Sequence, residues 1–194
     1  LSTSDYPDIN GLVRQLTQRH PDLSLSLPSL HIDSSSVALM SSLPRRSKTG
    51  LTFAPEAGSE RMRLNINKDV TEEKLLETAA AAFEKGWNGL KLYFLIGLPD
   101  ESTADVEDII KLTDKVRAVG IKTRGRLPVI RMTISTFVPK PHTPFQWVAQ
   151  ESETALNAKH ELLRQGFQHK GVKMSWQAPS ISRLEAVLSR GRGQ

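Results

Sequence analysis

Leu90-Lys91-Leu92-Tyr93-Phe94-Leu95-Ile96-Gly97-Leu98-Pro99-Asp100-Glu101-Ser102 is the stretch that decides how the chain is read. It is largely apolar to Ile96, breaks at Gly-Leu-Pro, and continues as an acidic pair and a hydroxyl residue suited to open a helix. A run apolar on both faces predicts a strand buried on both faces, the pattern of a parallel sheet. Functional groups of parallel α/β folds collect at the carboxyl ends of the strands, which is where Gly97 to Ser102 falls.

The flanking sequence supports the same architecture. Upstream, Thr71 caps a helix with Leu75, Leu76, Ala79, Ala82 and Phe83 on its inner face, and Gly86 terminates it. Downstream, Ser102 with Asp105 resembles a capping box, and Val106, Ile109, Ile110, Val116 and Val119 form an apolar stripe expected to end at Gly120. Arg131 to Val138 reads as a strand, Glu153 to Gln165 as a helix and Val172 to Trp176 as a short strand. Ser182 with Glu185 is expected to cap a last helix whose apolar residues are Ile181, Leu184, Val187 and Leu188. Toward the amino end, Leu51 to Ala54 and the alternating Leu23 to Leu27 read as strands, and Asp8 caps a helix carrying Ile9, Leu12, Val13 and Leu16. Strand–helix alternation of this kind predicts a parallel sheet, with the polar strand ends converging on one face of a barrel or partial barrel.

The composition narrows the chemistry. With 24% charged and 38% hydrophobic residues the chain is a folded protein, and no apolar run approaches the length of a membrane span. The absence of cysteine excludes disulfides, thiolate metal sites and a cysteine nucleophile within these 194 residues. The five histidines lack metal-ligand spacing, so no metal site is expected, and no nucleophile-elbow pattern occurs. The net charge of +5 is dispersed apart from clusters such as Lys122 to Arg126, which fits a solvated basic surface or a weak polyanion contact.

Three strand-end groups carry candidate chemistry. Gly97 to Glu101 lacks the glycines and lysine of a phosphate loop; it reads as a tight turn whose acidic pair favours the helix start. Glu56 and Arg61 offer an acid and a cation able to grip a zwitterion, or a solvated loop. Asp5, with Ser4 beside it, suits an ammonium or a ribose, and equally a turn. An acid/base pair of Glu56 and Glu101 is a further reading.

Taken in order, Leu51 to Ser59, Leu92 to Glu101 and Ser135 to Phe145 resemble the later strands of radical S-adenosylmethionine (SAM) proteins. They are most similar to an uncharacterised bacterial group that often carries a cobalamin-binding-like region upstream. The likeness extends to Ser26–Ser29 and to Leu184–Gly191. The methylthiotransferase branch is a more distant match, at the turn from Gly97 to Ser102.

The resemblance implies a parallel-stranded partial TIM barrel of (βα)₆ type lacking its first βα unit. Residues 1–178 would be the carboxyl-terminal part of the core domain, and residues 179–194 a closing helix and tail. SAM would lie across the strand ends beside a 4Fe–4S cluster. Ser4 and Asp5 would face the methionine amino group, Glu56 and Ser59 the ribose and carboxylate, and Arg61 the carboxylate. Leu95 and Gly97 would lie at the adenine, Glu101 would brace the turn, and Val138 would offer backbone to the adenine.

The Cys-x-x-x-Cys-x-x-Cys loop of the family is absent, and Ala57 stands where a serine is common. The expectation is therefore a truncated, cytoplasmic enzyme piece, inactive alone, with cluster ligands outside it and catalytic residues not assigned. Cobalamin in the full-length protein and an RNA-related substrate are compatible with this expectation. The alternative is a basic α/β module that binds RNA or a protein and does no chemistry.

Overall fold

Thr71, Ser102 and Ser152 each start a helix in the same way. Their side-chain oxygens accept the backbone N–H of Lys74, Asp105 and Ala155, three residues on. The computed structural model describes residues 6–22, 32, 36–37, 39 and 51–190. Its elements run α1 (Ile9–Arg19), β1 (Leu51–Glu56), α2 (Glu60–Asn65), α3 (Glu72–Glu84), β2 (Gly89–Ile96), α4 (Thr103–Arg124), β3 (Val129–Thr136), α5 (Glu153–Gly166), β4 (Lys173–Trp176) and α6 (Pro179–Arg190). The expected strand at Leu23–Leu27 and the calls at Ser4 and Asp5 lie outside the described residues.

The strands form one four-stranded sheet in the order β1-β2-β3-β4, every pair parallel. Parallel neighbours need a crossover, and α3, α4 and α5 supply them. The sheet buries one face. Leu51, Phe53, Leu90, Leu92, Phe94, Ile96, Ile130, Met132 and Ile134 share a core with Leu75, Ala79, Phe83, Val106, Ile109, Leu112, Leu156 and Leu163 of the crossover helices. Val13 of α1 joins the same core, together with Ile32, Val37 and Leu39.

Two expectations change here. β2 is not buried on both faces: Leu90, Leu92, Phe94 and Ile96 are buried, whereas Lys91, Tyr93 and Leu95 are only half-buried. The crossover helices cover one side of the sheet, so one parity of each strand reaches the main core, while Leu95 on the other side packs against a smaller cluster of Ala57, Met62 and Leu98. Second, α4 does not end at Gly120 but runs to Arg124, where Gly125 takes the left-handed conformation at φ 67°. Gly120 is buried inside the helix because a Cβ there would stand 2.5 Å from Pro128 Cγ and 3.0 Å from Phe83. Close packing, not termination, is why it is glycine.

The last helix is also rearranged. α6 begins at Pro179, and its buried residues are Pro179, Ser182 and Ala186. Ile181, Leu184, Val187 and Leu188, expected inward, are all more than half exposed. Among the described residues, no helix is long and apolar enough to cross a membrane.

Candidate functional site

The carboxyl ends of β1, β2 and β3 carry the backbone irregularities of the sheet. β1 takes an extra residue between Phe53 and Glu56 relative to β2, and Pro55 sits in that bulge, on the strand that ends the sheet among the described residues. Glu56 then adopts φ 68°, Asp100 φ 60° and His142 φ 60°. Non-glycine residues held at positive φ at three successive strand ends mark a region where the surrounding contacts hold the backbone in a costly conformation.

Behind the β1 turn stands Asp105. Its carboxylate accepts the hydroxyls of Ser59 (2.6 Å) and Ser102 (2.6 Å), the Ser102 N–H (2.8 Å) and the Arg61 guanidinium. Burial opposes its charge, but these hydrogen bonds outweigh burial and hold its carboxyl well below the usual carboxylate range. Ser59 also caps α2, accepting Met62 N–H at 3.2 Å. Gly58 brings this turn against α4: a Cβ there would stand 2.2 Å from the Ile109 backbone nitrogen. Arg63, only 1% exposed, reinforces the turn from within by donating to the carbonyls of Ala57, Gly58 and Val70.

The β2 turn is held separately. The Gly97 N–H donates to Glu101 Oε2 at 2.7 Å, and Lys159 of α5 donates to Glu101 (2.7 Å) and Glu151 (2.8 Å). Burial pushes the Glu101 carboxyl up, against the hydrogen bonds of Lys159 and Gly97. Burial also disfavours the Lys159 charge, but the two carboxylates prevail and raise its pKa. Gly97 has φ 78°, and a Cβ there would meet Glu151 and Leu156 at 3.0 Å.

A cavity of about 330 Å³ opens beside this turn, lined by Leu95, Ser135, Thr136, Phe137, Val138, Lys140, Gln177, Ser182 and Glu185. Lys140 and Glu185 form an ion pair at its rim. Its apolar wall and hydroxyls suit a flat heterocycle with a polar edge. A larger groove of about 780 Å³ lies between the start of α5 and α6, lined by residues such as Glu151, Arg183 and Arg190, and includes no strand-end residue.

The structure thus brings Leu95 and Val138 to one cavity. Glu56 belongs to the neighbouring strand end and pairs with Lys68 at 3.4 Å, whereas Arg61 pairs with Asp105. Glu101 is fixed beneath the Gly97 turn, while Glu56 is held by Lys68; different cations anchor the two carboxylates. Asp105, Arg63, Lys159 and Glu151 were not singled out from the sequence for these roles. Asp105 was legible only as a helix cap, and the partners of the other three come from distant or irregular segments. In the basic segment Arg124 donates to Trp87 O and Asn88 Oδ1 and Arg126 to the same Asn88 oxygen, while Lys122 and Arg126 remain exposed. The chain contains no cysteine, and no group of three or more potential metal ligands occurs among the described residues.

No family model matches the chain. It is 31% identical over 190 residues, 98% of its length, to "Uncharacterized protein MJ0966" of Methanocaldococcus jannaschii. The chain spans 40% of that relative's length.

Proposed function

We propose that the chain is the carboxyl-terminal part of a radical SAM catalytic domain and forms the wall of its SAM site. Leu95 and Val138, on successive strands, line one cavity at the carboxyl edge of a parallel sheet; that observation carries the reading. Sequential strand order with the crossover helices on one face is also what a barrel wall requires, and it supports continuation of this sheet into a partial barrel.

In this reading the adenine packs on Leu95 and meets the backbone at Val138. The hydroxyls of Ser135 and Thr136 line the same cavity and can accept or donate at its edge. Gly97 lets the turn pass close behind, and Glu101 with Lys159 keeps that turn rigid. At the β1 end Glu56, paired with Lys68 at 3.4 Å, would face the ribose or the ammonium, while Ser59 and Arg61 are engaged by Asp105. The chain has no thiolate for an iron–sulfur cluster, so it supplies binding and orientation only. Bound next to a reducing cluster held elsewhere in the full-length protein, SAM supplies reductive cleavage of its carbon–sulfur bond.

The test uses the full-length protein with its cluster reconstituted without oxygen. Dithionite-dependent formation of 5′-deoxyadenosine is expected, and Leu95→Glu should cut it at least about tenfold while circular dichroism stays unchanged. Failure of the reconstituted wild type to cleave SAM overturns the reading. In the second reading, a purely RNA-binding module, Arg124 and Arg126 bond Trp87 O and Asn88 Oδ1 while Lys122 and Arg126 stay exposed.

A further inference from the structure

The face of the sheet opposite the crossover helices carries a row of three cations. Lys91 of β2 is in register with Arg131 of β3, and Arg131 with Lys173 of β4. Neighbouring parallel strands lie about 4.8 Å apart, so the three side chains stand across roughly 10 Å on one rung. Arg131 and Lys173 are exposed and Lys91 is half-buried. None of the three is in an ion pair among the described residues; Lys91 donates to Tyr93 Oη at 2.7 Å. Glu56 is the only carboxylate in the four strands, and it pairs with Lys68 at the far end of β1.

Like charges set side by side on a sheet repel and lower stability. The next rung repeats the polar character with hydroxyls. Tyr93 is in register with Thr133, and Thr133 with Ser175, whose oxygens lie 3.3 Å apart. Three cations beside this polar rung form an anion-binding grid: lysine and arginine supply charge, and the Tyr93 hydroxyl, which accepts from Lys91, keeps its own proton to donate, whereas Ser175 donates to Met132 O at 3.3 Å. The cation row lies about four residues, or roughly 13 Å, below the Leu95–Ser135 rung at the cavity, and the hydroxyl rung about two residues, or roughly 7 Å, below it.

We propose that Lys91, Arg131 and Lys173, with Tyr93 and Thr133 beside them, bind a small phosphate-bearing ligand on the sheet face opposite the crossover helices. The spacing suits linked phosphates, whose oxygens each rung position meets in turn. This assignment does not depend on SAM binding at the strand ends.

The test is calorimetric titration of inorganic tripolyphosphate into the chain at fixed ionic strength, together with thermal unfolding. Arg131→Gln and Lys173→Gln should each weaken binding about tenfold, whereas Lys122→Gln, an exposed cation away from the sheet, should change it less than about twofold. Without ligand, the same two variants should unfold about 2 °C higher than wild type, because repulsion is relieved. No measurable binding, equal weakening by all three variants, or a lower unfolding temperature for Arg131→Gln and Lys173→Gln would each overturn the proposal. So would displacement of tripolyphosphate by a short RNA at far lower concentration, which would assign the face to nucleic acid instead.

Discussion

Asp105 gathers two serine hydroxyls, one amide and one guanidinium around a carboxylate that is 5% exposed. Asp105→Ala removes the cap of α4 and strands Ser59 behind the β1 turn. It should cost about 3 kcal/mol in urea unfolding at neutral pH, and Arg61→Ala, at an exposed side chain, under about 1 kcal/mol. Because the folded pKa of Asp105 is depressed, its contribution is complete above the ordinary carboxylate value of about 3.9 and is lost as the pH falls through the folded value. The gap between Asp105→Ala and wild type should therefore close in acid.

Glu101 behaves oppositely. Its folded pKa is raised by burial, so its contribution is complete below about pH 4.3 and declines as the pH rises through the folded value. Lys159→Met leaves that carboxylate without its cation and should cost about 3 kcal/mol at neutral pH, shrinking toward pH 4 as Glu101 takes a proton. A pH-independent loss would mean that packing of the lysine stem, rather than its charge, is what matters.

Among the elements, α6 departs furthest from its pattern. Hydrophobic spacing assigns Ile181, Leu184, Val187 and Leu188 to the core, yet the helix turns Ser182 and Ala186 inward. Polar contacts set that orientation: Gln150 donates to Ser182 O at 3.2 Å, Arg190 to Gln146 O and Val148 O at 2.7 Å, and Lys140 pairs with Glu185. Substituting Leu188 by Gln should change unfolding free energy by less than about 0.5 kcal/mol, whereas Ala186→Leu should cost about 1–3 kcal/mol through overpacking. The reverse ranking would show that the apolar face is the buried one. α4 teaches a related lesson: two glycines five residues apart can both end a helix, and only Pro128 packed on Gly120 separates the packing glycine from the terminating one at Gly125.

At the scale of the whole molecule, the sheet separates two regions along the face opposite the crossover helices. The cavity at Leu95 and Val138 lies at the carboxyl edge, and the row at Lys91, Arg131 and Lys173 stands a rung from the start of β2 and β3 and at the first residue of β4. The cations lie about 13 Å from Leu95, beyond the screening length of roughly 8 Å at physiological salt, although the intervening hydroxyl rung is only about 7 Å away, so a charge placed at Leu95 should act weakly on the cations. Leu95→Glu should leave tripolyphosphate affinity within about twofold of wild type in the same calorimetric titration.

Helix caps, strand positions and parallel order were legible along the chain because they depend on neighbours within a few residues: Thr71, Ser102 and Ser152 each bond an amide three positions on. Leu95 and Val138 were singled out by strand-end order and family likeness, but that they line one cavity came with the tertiary structure. The partners of Asp105, the Lys159 bridge to Glu101, the inward turn of α6 and the sheet face bearing Arg131 and Lys173 came only with the tertiary structure. Alternation along a strand divides its residues between two faces, but which face the helices cover is settled by how the crossovers pack. A buried carboxylate likewise takes its partners from segments more than forty residues away, as Asp105 does from Ser59 and Arg61.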